Sequence, residues 1–459
     1  MTNPEGSQTT LASAPPAKTS TRRNWLTSIL LGLALLGIFL GNRRATIGTY
    51  DTILNEWLPY TIIRGDGPFL DRFRTALAEP GQKLPFYAAL SRTHVVSRYP
   101  IGPAVLATSI TWPQVWYLDR YVPSWDHNGN TFLWYCTRMS KNTSAVIAAL
   151  TGIVLYQILC GLGLGRVAVP TVLAAALGTD LWSVASQAPW QHGPASLALS
   201  MAIWLLLPQP VPRWRLAMAG LATAAMVTFR SIDVLFAIIV LLWVLRTQPR
   251  GLGWFLLTAV PIAATLLGYN LWYFSRIEGG QPDIEALHPI FHGVEGIWTG
   301  NLLEGLTGTL LSPARGLFVF SPWIALTVLA LPATARRIRT HSIVAWLLVG
   351  LIPYLLMLSK YSVWWAGHSF GPRYWIDATP LFAILLGFTL DWARERCRPL
   401  LLVFAAAIAW SIALQTIGAF YYPSSWNLGP PNVDLHHERL WDWRNNELRR
   451  CLQEGRKGW

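Results

Sequence analysis

The sequence predicts an all-helical integral membrane protein, with about 11–13 transmembrane helices and amphipathic helices in the loops of its outer face. Three observations carry this expectation. The chain is 53% hydrophobic and only 13% charged, whereas soluble domains carry nearer a quarter charged residues. Its apolar runs are long: residues 25–41 hold no charge, and 143–162, 168–187, 253–272, 342–359 and 399–420 are alike. About 17–25 such residues span the hydrocarbon, and a buried soluble helix would be shorter and carry a polar stripe. Finally, the basic residues cluster in short loops, at Arg213 and Arg215, Arg246 and Arg250, Arg336, Arg337 and Arg339, and Arg394, Arg396 and Arg398. That is the pattern of cytoplasmic loops beside anionic lipid. It accounts for the net charge of +13 without a nucleic-acid partner.

Residues 1–24 are rich in Ser, Thr, Ala and Pro and read as a disordered cytoplasmic N-terminus. The first apolar run is long for a signal peptide, and the GNRRAT that follows has no small-x-small cleavage site, so the run reads as an uncleaved anchor. The membrane domain then covers 25–420. In its first outer loop, 42–100, Ile53, Leu54, Trp57, Leu58, Tyr60, Ile62 and Ile63 recur at helical spacing, predicting amphipathic helices on the membrane face. Further candidate spans are 101–118, 143–162, 168–187, 193–208, 215–229, 232–246, 253–272, 314–332, 342–359, 374–390 and 399–420, with a second amphipathic loop at 273–312. The polar tail, 421–459, falls outside the cytoplasm. Counting topology from the two ends leaves one crossing in conflict between 101 and 142. Two crossings, with a short helix near 130–140, are expected there; the alternative is a re-entrant 101–118. Cys136, Cys160, Cys397 and Cys451 have no ligand spacing and read as free thiols.

This topology gathers Asp51, His94, Arg98, His192, Arg230, Asp233, Arg315, Lys360, His368, Arg373 and Asp377 on the outer face. Ionisable groups at the edge of a span usually face a cavity or a partner. In SRYPIGP (97–103), LSPARGLF (311–318) and SFGPRYWID (369–377) an arginine lies beside a proline where an apolar helix begins. Helix N-termini attract anions, so Arg98, Arg315 and Arg373 form candidate phosphate forks. The alternative is arginines snorkelling to lipid headgroups. His94, His192 and Lys360 join the candidate substrate- or phosphate-binding set, with a helix-capping role open for His192. Asp51 is either a helix cap or a general base beside the bilayer. Arg230 and Asp233, in FRSIDVL, are expected to form a local ion pair. The tryptophans, Trp364 and Trp365 included, suit an interfacial belt better than a carbohydrate platform. No phosphate loop, HExxH, Cys/His metal spacing or GxSxG is present.

TYDTILNEWLP (49–59), RGDGPFLDRF (64–73), VSRYPIGPAVL (96–106), GTDLWSVASQAPWQHGPASL (178–197), LLSPARGLFVFSPW (310–323) and WWAGHSFGPRYW (364–375) together resemble bacterial multi-span glycosyltransferases of the GT-C type. These are relatives of the protein O-mannosyltransferases and the lipid A aminoarabinose transferases. The resemblance runs from about residue 25 to 440. It implies a GT-C-like fold in the bacterial inner membrane, with the active site outside the cytoplasm. It also implies transfer of a sugar, with inversion, from a polyprenyl-phosphate donor to a hydroxyl of a carbohydrate, lipid or protein acceptor. The family's acidic residue in the first outer loop, the catalytic base or a substrate-positioning group, matches Asp51. Where the family often has an acidic pair, this chain has Tyr50-Asp51, which leaves no certain cofactor and a divalent metal as an open option. Competing readings are a transporter or flippase of a lipid-linked or anionic precursor, and a non-catalytic subunit of an envelope-assembly complex. Charges crowded at one face, rather than at mid-membrane, favour the enzyme over the transporter.

Overall fold

The computed structural model describes residues 18–42, 49–78, 81–291, 296–423 and 425–454. Most of the segment expected to be disordered, and most of GNRRAT, lie outside these residues. From Lys18 onward the chain passes between two faces. α1 (Lys18–Leu40) leads to the face where the loops gather. There the chain forms α2 (Tyr50–Ile63), α3 (Arg74–Leu77), a hairpin of β1 (Ala88–Ser91) and β2 (His94–Ser97), and α4 (Gly102–Tyr121). α5 (Gly129–Gly161) crosses back. α6 (Ala168–Leu177) returns through a π-helical turn (Leu181–Ala185), and α7 (His192–Leu206), α8 (Arg213–Phe229), α9 (Val234–Thr247) and α10 (Leu252–Phe274) are successive passes. The second loop carries α11 (Gln281–Leu287) and α12 (Leu302–Leu311). α13 (Leu317–Phe320) and α14 (Pro322–Leu329) make a broken pass to α15 (Leu331–Arg339). α16 (Ser342–Lys360), α17 (Thr379–Arg396) and α18 (Arg398–Tyr421) follow, and α19 (Ser425–Leu428) and α20 (Glu447–Glu454) lie in the tail. α1, α5, α10, α16 and α18 are each long and apolar enough to cross a membrane by length and composition. The protein is an integral membrane protein built almost entirely of helix.

Local chemistry explains these boundaries. Asn128 caps α5, its side chain accepting from the backbone N–H of Asn130 and Thr131 at 2.9 and 3.3 Å. Proline stands in the first turn of α4, α14, α15, α17 and α18, where no intrahelical N–H is lost. Arginines close α15 and α17, favourable against the helix dipole. Arg337 of α15 binds Asp391 of α17 at 2.7 Å on this basic face. The centre of the bundle is α17, buried continuously from Thr379 to Asp391 and packed against α6 and α18. At the periphery, α10 buries only Phe255 and leans on α8. A Cβ on Gly220 would lie 2.0 Å from the Phe255 carbonyl oxygen, so the absence of a side chain there lets the two backbones approach, as small residues do between membrane helices.

Between 101 and 142, α5 is long and apolar enough to cross a membrane and α4 is not among the helices that are. α4 lies beside α2, with Arg64 donating to both oxygens of Asp119 at 2.8 and 2.6 Å. It buries Ala104, Ala107, Thr111, Val115 and Leu118 and exposes Trp112, Trp116, Tyr117 and Tyr121. The first turns of α5 also stand on the loop face, Phe132 packing on Tyr60 at 4.9 Å. Further along, Gln157 donates to Ser28 of α1 at 2.8 Å, so α5 makes the crossing. The 42–100 loop contains a hairpin as well as the expected helices, with Ala88 opposite Ser97 and Ser91 opposite His94. The 168–187 run is not one helix. It breaks at Gly178, whose carbonyl accepts from Ser321 at 2.7 Å, and buries Asp180 beyond the break.

Candidate active site

The loop segments converge on a cavity of about 860 Å³, walled by the first turn of α2, the entry to α4, the turns before α7 and α9, residues of 281–291 and 297–298, the 357–374 segment, and the tail. Five stretches expected to share a face (42–100, 188–192, 273–312, 360–373 and the tail) all contribute to it.

Asp51 stands in the first turn of α2, a quarter exposed. Thr49 is the capping residue of that helix, so Asp51 does not serve as the cap. Its Oδ1 accepts from the Thr49 hydroxyl at 3.0 Å. Its Oδ2 lies 3.1 Å from Nη1 of Arg373. Arg373 is buried in the short 3-10 turn before α17, its guanidinium 4.3 Å from the Trp190 ring centre. That contact is cation–π in kind. Nε and Nη1 of Arg373 have no well-aligned hydrogen-bond acceptor among the described residues. A buried guanidinium with idle donors is costly unless something else takes them up.

Beside this pair sits a second cluster. Asp377 accepts from Tyr354 at 2.9 Å, pairs with Arg230, and lies 3.1 Å from Nδ1 of His192. With Nδ1 donating to the carboxylate, Nε2 of His192 is an acceptor at the cavity wall. The local Arg230–Asp233 pair does not form. Both oxygens of Asp233 are buried without a partner among the described residues. Tertiary approach of the segment before α17 gives Arg230 a better acceptor than its neighbour three residues on.

The other candidates lie elsewhere. Arg315 is fully occupied: it donates to Glu447 at 2.8 Å, Asn427 at 2.7 Å, Trp365 O at 2.9 Å, Ala314 O at 2.8 Å and Gly367 O at 3.2 Å. It ties the tail to the loop face. Arg98 donates to Phe86 O at 2.8 Å and approaches Asp283 at 3.4 Å, joining the hairpin to α11. His94 pairs with Asp71 at 2.6 Å and stacks on Phe69 at 4.0 Å, on the hairpin. Lys360 lines a separate, open hollow with Asn301 and Leu303. Trp364 and Trp365 are neither belt nor platform. Both are buried with Trp426, Val433 and Leu440 beneath the tail.

Sequence reasoning did not reach His288, Asn432 or Asp434, which also line the cavity. Their neighbours in sequence carry no pattern; the segment after α11 brings in His288, and the folding back of the tail brings in Asn432 and Asp434. The cysteines are free thiols, as expected. Among the described residues no group of three or more His, Cys, Asp or Glu side chains is placed to hold a metal ion.

No family model matches the chain, and no curated protein matches it. Among solved structures it is similar to ArnT from Cupriavidus metallidurans bound to undecaprenyl phosphate, at 14% identity over 95% of this chain and 75% of that one, with a TM-score of 0.48.

Proposed function

We propose that the protein is a membrane glycosyltransferase that moves a sugar from a polyprenyl-phosphate donor to an acceptor hydroxyl, with inversion, at the extracytoplasmic face of the bacterial inner membrane. The observation that carries this reading is the pairing of Asp51 with Arg373 at 3.1 Å inside one cavity. A carboxylate and an arginine with idle donors are the two groups the reaction needs. They lie among the loop segments, which on this reading is the face opposite the basic loops, at the level of the lipid headgroups.

In the reaction the acceptor hydroxyl attacks the anomeric carbon as its proton passes to the Asp51 carboxylate. A carbon–oxygen bond forms on one face of the sugar. The bond from the anomeric carbon to the phosphate oxygen breaks on the other, through an oxocarbenium-like transition state. The bonding electrons leave with the polyprenyl phosphate. Arg373 takes up the growing charge with Nε and Nη1, exchanging its Asp51 contact for a phosphate oxygen. A phosphate leaves readily, so no general acid is required. His192 and Arg230, held by Asp377, present further polar groups to the donor headgroup.

The test is incubation of purified protein, in lipid nanodiscs, with labelled polyprenyl-phosphate sugars and membrane extract. Wild type should release label from one donor class. Asp51→Asn should lower that rate by about 10²–10⁴-fold while its melting temperature stays close to wild type. Full transfer by Asp51→Asn would reject the assignment and favour a transporter or a non-catalytic role.

A further inference from the structure

The cavity has a second polar pole, distinct from the Asp51–Arg373 pair. His368 Nε2 lies 2.8 Å from Asp434 Oδ2 and 3.3 Å from Asn432 Oδ1. The Trp365 indole donates to the other Asp434 oxygen at 2.8 Å. Three of these groups line the cavity: His368 from the loop before α17, and Asn432 and Asp434 from the tail. His288 stands between the two poles, within electrostatic reach of Asp51 and Arg373 and also of Asp434 and His368. Its Nδ1 accepts from the Ile290 backbone at 3.0 Å, and burial pushes the imidazole below its usual range. The neutral ring therefore carries its proton on Nε2.

We propose that this tail-built pole is the acceptor subsite and that the acceptor is a neutral, polyhydroxylated sugar. The inference rests on the transferase reading and adds the acceptor class to it. The chemistry of the groups decides the class. With Nε2 of His368 donating to Asp434, Nδ1 remains as an acceptor; the Asn432 amide and His288 Nε2 remain as donors. Around the Asp434 carboxylate, that is a mixed set of donors and acceptors suited to hydroxyls. Both Asp434 oxygens already hold a donor, His368 Nε2 and the Trp365 indole, which makes the carboxylate a weaker anchor for an ammonium than a bare one. The same carboxylate repels a phosphate. Phe291, Trp298 and Tyr361 share the wall, with Trp298 and Tyr361 rings 5.4 Å apart, and apolar ring faces complement the C–H face of a sugar.

The experiment is saturation-transfer NMR on the full-length protein in nanodiscs, with a panel of methyl hexopyranosides and a serine- and threonine-rich peptide as probes. At least one glycoside should bind wild type. Its affinity should fall about tenfold in His368→Gln, the loss expected when one hydrogen bond goes unmade, and persist in Asp51→Asn. Asn432→Ser, which leaves the His368–Asp434 pair standing, should weaken it similarly if His368→Gln lowers the melting temperature. Binding of the peptide without any glycoside, or glycoside affinity unchanged in both variants, would overturn the subsite. Glycoside binding through these residues, with no labelled polyprenyl-phosphate sugar consumed, would keep the subsite and reject the transferase.

Discussion

Arg315 and Arg373 begin from the same local sequence, a proline one or two residues before an arginine at a helix start, and end in opposite states. Both are buried. Arg315 spends its donors on Glu447, Asn427 and three backbone carbonyls. Arg373 has one carboxylate beside it and a tryptophan face beneath it, with Nε unpartnered and Nη1 paired with Asp51 but without an aligned hydrogen bond among the described residues. A satisfied buried arginine holds structure together; one left short of acceptors in a cavity is prepared for an anion from outside. The difference comes from what the chain brings to each site. The tail delivers Glu447 to Arg315, while α2 delivers only Asp51 to Arg373, and the space left over is the cavity.

The comparison breaks most severely at Arg315. Arg315→Ala should destabilise the protein by about 3–5 kcal/mol, because it leaves Glu447 buried without its charge partner. Burial already pushes the Glu447 carboxyl above its usual range, opposed by Arg315. Melting of the purified variant, with limited proteolysis of the tail, reads this out. Donor affinity unaltered in a stable Arg315→Ala protein would show that the lock is not needed.

Arg373→Ala should show the reverse profile. Donor use, as kcat/KM, should fall about 10²–10³-fold, the range for removing one charge-stabilising donor, with melting close to wild type. If melting falls as far as in Arg315→Ala and donor saturation is normal, the two arginines are alike and the contrast is wrong.

How far these features were legible in the sequence depended on the range of the contact. Run length and loop charge identified the membrane helices, because both are local. Asp51 and Arg373 were legible because each carries a local mark, an acid soon after the first span and a Pro-Arg helix start. Nothing local separates Arg373 from Arg98 or Arg315. What distinguishes them is the tail at Arg315 and α11 at Arg98, both acting across more than 100 residues. α4 is a related case: which of its faces is covered depends on α2 lying beside it, not on its composition, and Trp112, Trp116 and Tyr117 are left outward. The fold-back of Asn432 and Asp434 left no mark in the sequence at all.

On α2 itself, the face away from the cavity carries Glu56. Burial holds its carboxyl at about 8, against an ordinary 4.5, with a hydrogen bond to Thr137 opposing. The folded state therefore keeps this proton to higher pH than the unfolded chain does. Stability from this group is full below pH 4.5 and is lost as pH rises toward about 8. Because the residue keeps some solvent exposure, the loss should be about 2 kcal/mol rather than the full equivalent of the shift. Glu56→Gln should flatten the decline. An unchanged pH profile of melting would show that Glu56 titrates normally.

The smallest expected effect tests the third arginine. Arg98 reaches Asp283 at 3.4 Å, and Asp283 also accepts from Arg276 at 2.9 Å, so either pair can relax if the carboxylate is lost. The pair is partly solvated, with side chains 15% and 35% exposed, and such pairs contribute less than about 1 kcal/mol. Asp283→Asn should therefore lower melting only slightly. It should also leave donor KM within about twofold, because Arg98 donates to the hairpin through Nη1 and lies outside the cavity wall. If freeing Arg98 from Asp283 instead tightened donor binding severalfold, Arg98 would be a phosphate ligand restrained by its carboxylate. The contrast drawn from Arg315 and Arg373 would then have to admit an intermediate case, an arginine switched between the two roles by the acid beside it.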